Sequence, residues 1–155
     1  MSRKILLVIA VCFFLVGCSG PWEDLSKLYE TPENPKPTIR AQSNKTVVLS
    51  GKKHKGAQTF RGIVTSSFDD TGVCLSLESP YSWLHKPLRI PLSAITACSR
   101  TQWSSGWDTN LWIDEALVEI AFPDNDQSVL NWCSTKNITK VNRETARKWL
   151  YEKEE

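Results

Sequence analysis

The sequence predicts a mainly β domain closed by a C-terminal α-helix, and three observations predict it. Short runs alternate apolar and polar residues with a period of two, most clearly Val73, Leu75, Leu77 and Val118, Ile120, Phe122. Turn-forming residues separate such runs at Asp69-Asp70-Thr71-Gly72 and Pro123-Asp124-Asn125-Asp126. After Asn142, a good helix N-cap, no Gly or Pro interrupts Arg143 to Lys153. The expectation is a small barrel, or curved antiparallel sheets, of six or seven strands over residues 46–155, with the helix at about 142–153.

The elements follow in order. Thr46 to Leu49 is a short strand. Phe60 to Phe68 is a second, interrupted by Gly62, and it forms a hairpin with Val73 to Leu77. Leu88, Ile90 and Leu92 alternate between Pro87 and Pro91, which suggests an edge strand or a bulge. Leu111 to Ile113, Val118 to Phe122 and Ser128 to Cys133 complete the strands. In the helix, Thr145, Ala146 and Trp149 share one face that would pack on the sheet. Residues 18–45 read as a tether. Trp22 to Tyr29 supplies one or two amphipathic turns, and Thr31 to Pro37 carries three prolines that make an extended spacer.

The first residues are of a different kind. Arg3 and Lys4 precede Ile5 to Val16, an uncharged apolar stretch too short to span a bilayer. A basic start and a short apolar core have the layout of an export signal. The stretch ends Leu15-Val16-Gly17-Cys18, which resembles the bacterial lipobox. That resemblance implies a lipoprotein signal peptide over residues 1–17, cleavage before Cys18, and fatty acylation (diacylglycerol and palmitate-type chains) on that cysteine. Ser19, in a Gram-negative host, implies the outer membrane with the domain on its periplasmic face.

A second resemblance concerns the domain. Gly72-Val73-Cys74-Leu75-Ser76-Leu77, followed by His85 to Ile95 with its Ile90-Pro91-Leu92-Ser93-Ala94-Ile95, is similar to the core of pleckstrin-homology-like (PH-like) and GRAM-like domains in small bacterial proteins. It implies a PH-like barrel and no catalytic residues. Fold analogy supplies no function.

Removing residues 1–17 takes away Arg3 and Lys4, leaving 17 basic residues against 17 acidic ones. A neutral exported chain is poorly suited to nucleic acid. Cys74, Cys98 and Cys133 remain as thiols besides Cys18. Cys74 lies in an apolar strand pattern and reads as a buried small hydrophobe. Cys98 and Cys133 lie near predicted strand ends and are paired as a candidate disulfide. Neither a CxxC nor a Cys/His cluster occurs, so no metal site and no cofactor are expected.

No pair of catalytic groups emerges. The two histidines are His54, among lysines, and His85, in a Pro-flanked loop. The acidic turns read as residues bonding their own backbone rather than as calcium ligands. Two features suggest binding. From Lys36 to Arg61 seven residues are basic and none is acidic, with Lys52-Lys53-His54-Lys55 at the centre. Such charges favour an anionic membrane surface. Trp103 and Trp107 flank Ser104-Ser105-Gly106 and could fill a partner's pocket, while Trp112 and Trp132 read as core. The expected binding face combines Trp103, Trp107 and the Lys52, Lys53, His54, Lys55 loop.

The resulting expectation is a membrane-anchored envelope lipoprotein that acts as a non-enzymatic binding or scaffold module for another envelope protein. Alternatives are a lipid- or glycan-binding lipoprotein, a hydrolase with an unrecognised site, and an assembly or immunity component. The oligomeric state is not predicted.

Overall fold

A computed structural model describes residues 20–32, 42–125 and 127–152, apart from the side chains of Asn44 and of residues 149–152. The proposed signal peptide, Cys18 and the prolines beyond Pro32 lie outside the described residues, as does the side chain of Trp149.

Seven strands form one curled antiparallel sheet in the order β4-β3-β2-β1-β7-β6-β5. They are β1 (Gln42–Gly51), β2 (Ala57–Phe68), β3 (Gly72–Leu77), β4 (Leu88–Pro91), β5 (Ala97–Trp103), β6 (Gly106–Ile113) and β7 (Val118–Pro123). The mainly β expectation and the C-terminal helix, α3 (Arg143–Glu152), both hold. Central β1 pairs with β2 on one side and β7 on the other. Its register with β2 shifts between Lys45 and Val47, where Gly62 takes a φ of +65° on the opposite strand. A bulge there bends the strand and increases its twist. Gly62 therefore interrupts the alternation without ending the strand.

Alternation places Val47, Leu49, Val64, Val73, Leu75 and Ile120 on the concave face, where all are buried. The sheet does not close on itself, because β4 and β5 are its two edges. Helices fill the opening. Helix α1 (Pro21–Tyr29) inserts Trp22, Leu25 and Tyr29 into the core from positions that share one helical face. Each such side chain contributes about 1.5–3 kcal/mol of burial. This corrects the reading of residues 18–45 as a tether: Trp22 to Tyr29 belongs to the folded body. The prolines after it join two packed elements, α1 and β1, and do not separate the domain from Cys18.

Helix α2 (Ser128–Thr135) stands where a last strand was expected. Val129, Trp132 and Cys133 are spaced three and one apart and are buried together, which is one face of a helix. Six residues are too few for period alone to separate the two readings. The buried Asp124 carboxylate decides the matter by starting the helix. It accepts the backbone N–H groups of Val129 (3.1 Å) and Leu130 (3.0 Å) and the hydroxyl of Thr109 (2.6 Å). Trp132 packs against Phe68, and its indole N–H donates to the Asp69 carbonyl.

Strand β5 was absent from the sequence expectation, which assigned no strand between Leu92 and Leu111. Its residues Ala97-Cys98-Ser99-Arg100-Thr101-Gln102-Trp103 are mostly polar, although part of its outer face is covered. Ser99 and Asn110 are buried there, with the Asn110 amide and the Trp112 indole N–H both donating to the Ser99 hydroxyl. Helix α3 lies over this outer face and buries Ala146 against Ala97 and Trp112. Asn142 caps it, its side chain accepting the Thr145 N–H at 2.7 Å.

Each sheet edge is covered at one point, which shortens the stretch open to pairing with another chain. Glu30 bridges to Leu88, and the Thr31 N–H donates to the Pro87 carbonyl, along β4. The Thr139–Val141 stretch hydrogen-bonds to Cys98 along β5. The structure also joins Cys98 to Cys133, tying β5 to α2. Cys74 is free and buried.

Two outcomes test this account of closure. Asp124→Ala removes a helix cap and leaves the Thr109 hydroxyl unpaired, so it should lower the unfolding free energy by about 2–4 kcal/mol in urea titration, and Asp124→Asn by less. Replacing both Cys98 and Cys133 with Ala should cost about 2–4 kcal/mol by the same measurement.

Candidate functional site

The residues expected to form one binding face do not meet. Gly51 of β1 pairs with Val118, which starts β7, so the Lys52-Lys53-His54-Lys55 turn lies at that end of the sheet. Trp103 pairs with Gly106 at the opposite end, beyond Asp108, whose partner is Pro123 at the end of β7. Six residues of β5 separate the two ends, about 20 Å of strand. The two tryptophans also differ in face. Trp103 shares the outer parity of Ala97, Ser99 and Thr101, while Trp107 pairs with Gln102 on the other. The expectation of a combined face is therefore corrected by register.

At the Trp103 end, each ring is held by an arginine. The Arg143 guanidinium lies 5.1 Å from the Trp103 ring centre, and Arg100 lies 4.3 Å from that of Trp107. Arg143 is itself anchored to buried Glu119 at 2.7 and 3.2 Å. The Trp107 N–H donates to Asn125, and its carbonyl accepts the Asp124 N–H. These contacts make the hairpin tip a braced element with one ring, Trp103, half exposed.

At the other end the basic turn grips α1. His54 Nε2 lies 2.8 Å from the Asp24 carboxylate, and Gly51 lies against Pro21. Burial works against the Asp24 charge, but hydrogen bonds from His54 and Lys27, with their positive charge, outweigh it and hold the carboxyl below its ordinary value. Lys53 and Lys55 are exposed beside this contact. The helix N-terminus is fixed by Gln58, whose side-chain oxygen accepts the Trp22 N–H at 3.1 Å.

The other flank of α1 faces the loop between β3 and β4, which contains the short 3₁₀ turn Tyr81–Trp83. The His85 ring packs 5.6 Å from the ring centres of both Trp22 and Phe60. Burial lowers its pKa, favouring the neutral ring. Lys86 pairs with Glu30. Between helix and loop lies a cleft of about 280 Å³ lined by Trp22, Glu23, Ser26, Trp83, Leu84 and His85, among others. The buried indole N–H of Trp22 has no hydrogen-bond partner among the described residues. Sequence reasoning passed over Trp83 and Leu84. Their signal was two large apolar residues inside a loop bounded by Pro80 and Pro87.

Asp69 Oδ1 accepts the N–H groups of Thr71 and Gly72, which is the backbone-bonding role read from the sequence. Among the described residues no group of three or more His, Cys, Asp or Glu side chains is placed to hold a metal ion. None of the described helices is long and apolar enough to cross a membrane. Comparison with family models, with curated proteins and with solved structures finds no match to this chain.

The Asp24 contact has a pH signature. Its folded pKa is lowered, so its contribution to stability is present above the unfolded value of about 4 and is lost as pH falls through the folded value. Urea midpoints measured from pH 6 to pH 2 should fall less steeply on the acid side for Asp24→Asn than for the parent chain.

Proposed function

We propose that this chain is an envelope lipoprotein, anchored by acyl chains on Cys18, that works as a non-enzymatic binding or scaffold module for another envelope protein. The observation that carries the reading is the Leu15-Val16-Gly17-Cys18 sequence after a charged start and a short apolar core. The Cys98–Cys133 disulfide supports export, because such bonds persist in oxidising compartments. Two antiparallel runs, β1 to β4 and β5 to β7, followed by a C-terminal helix accord with the strands-then-helix order on which the PH-like resemblance rests. Both histidines are engaged in packing or ion pairing, which favours binding over acid–base chemistry.

Confinement to a membrane surface raises the effective concentration of a module for partners held there. Trp103, half exposed at the braced hairpin tip, is the surface best suited to a protein partner, since a rigid aromatic loses little entropy on docking. A second reading, a lipid or glycan ligand, is favoured by the cleft beside α1 and by the unpartnered indole N–H of Trp22.

The direct test is the mass of the protein isolated from membranes. It should begin at Cys18 and carry the added mass of acyl chains, and Cys18→Ser should leave the unmodified precursor with residues 1–17 attached. An unmodified Cys18 in the parent chain would refute the anchor. Crosslinking in intact cells, with Trp103→Ala as the comparison, then tests the partner surface.

A further inference from the structure

Among the described residues, five large apolar side chains stand exposed, and three of them, Tyr81, Trp83 and Leu84, lie together on the loop that faces α1. Trp83 is 83% exposed and Leu84 66%. Leaving a Trp and a Leu side by side in water is unfavourable, and such a patch marks a contact surface. The chemistry around it identifies the contact. Trp and Tyr concentrate at membrane–water interfaces, where an apolar ring body and a polar edge are both accommodated. On the opposite flank of α1 stand Lys53 and Lys55, exposed on the turn that His54 pins to Asp24. The helix between them begins at Pro21, three residues after Cys18, and three residues of chain span at most about 11 Å.

From these positions we infer that the Tyr81–Leu84 loop inserts into the headgroup region of the bilayer, while the Lys53–Lys55 turn contacts anionic headgroups, so that the end of the domain bearing α1 lies flat on the membrane. This rests on the lipoprotein reading for its orientation. Acidic groups on the same side are partly neutralised. Asp24 is matched by His54 and Lys27, and Glu30 by Lys86; Glu23 lines the cleft, Glu78 opens the loop, and Glu115 accepts the Tyr29 hydroxyl, so three carboxylates against exposed Lys53 and Lys55 make the apolar loop the main contact. Each exposed lysine near an anionic surface strengthens association by roughly fivefold. The Trp103 hairpin, at the far end of the sheet, then points away from the bilayer.

The test uses the full chain, purified from membranes and reconstituted into vesicles of phosphatidylethanolamine and phosphatidylglycerol carrying bromine-labelled acyl chains, which quench tryptophan at the interface. The expected result is quenching in the parent chain, its loss in Trp83→Ser, and its retention in Trp103→Ser. Lys53→Gln with Lys55→Gln should weaken quenching in anionic vesicles and leave it unchanged in purely phosphatidylethanolamine–phosphatidylcholine ones. Trp83 is exposed, so Trp83→Ser should keep the parent urea midpoint. Equal quenching in the parent and Trp83→Ser chains would overturn the inference. So would crosslinking of position 83 to a protein without quenching, which would assign the loop to a protein partner. The acyl mass on Cys18 is read on the same sample. An acylated chain with unquenched Trp83 overturns the docking and leaves the anchor standing. An unacylated chain that is still quenched refutes the anchor and upholds the docking, and one that is not quenched refutes both.

Discussion

The fold depends on filling the gap that a seven-stranded open sheet leaves between its edges. A closed barrel satisfies its last strand with its first. Here β4 and β5 never pair, and the concave face would be open to water without α1 and α2. Trp22 is brought to that gap by α1, and it is 1% exposed, against Phe60 at a centroid distance of 5.0 Å. Trp132 does the corresponding work at the other end, against Phe68. The helices also protect the edges, with Glu30 and Thr31 along β4 and the disulfide holding α2 beside β5. One segment thus serves two purposes, supplying apolar volume and covering part of an unpaired strand edge.

That dual role explains what could be read from the sequence and what could not. The strands with one wet and one dry face were legible, because alternation at Val73, Leu75, Leu77 and at Val118, Ile120, Phe122 follows from burial on one side. The Asn142 cap was legible because a cap is a local hydrogen bond. Strand β5 was not, because its outer face carries Ser99, buried by hydrogen bonds to Asn110 and Trp112 that only the folded sheet brings together. Helix α2 was missed because its start is set by Asp124, whose carboxylate also accepts from Thr109, a residue 15 positions away. Helix α1 was recognised as amphipathic, yet a short amphipathic segment next to prolines gives no sign of whether its apolar face meets a core or stays in a linker.

The candidate site divides in the same way. Each of its residues was visible as chemistry, lysines and tryptophans in runs, but their grouping was a question of register. A strand carries residues some 3.3 Å apart per step, so two motifs on neighbouring segments meet or separate according to which residues pair. The pairings Gly51 with Val118 and Trp103 with Gly106 put the basic turn and the tryptophan hairpin at opposite ends. The cysteine pairing differed, since only three thiols competed for a partner and Cys74 sits inside a strand on the far half of the sheet.

The packing of α1 also alters what a lipid anchor would do. A proline-rich spacer lets a domain tumble above the bilayer, so its surfaces meet partners in many orientations. An anchor three residues before a helix that is locked into the core would allow little of that freedom. The helix is held at its start by Gln58, on one side by His54, and at its end by Lys86 and the β4 edge. Orientation is then set by whichever surface surrounds the attachment point, and here that surface is cationic on one flank and aromatic on the other. With the domain held in this way, the Trp103 hairpin would be presented at a fixed height and direction, about a strand's length from the membrane. For a module that recognises a partner embedded in or resting on the same membrane, such fixed presentation removes rotational freedom before binding, which strengthens association without any additional contact.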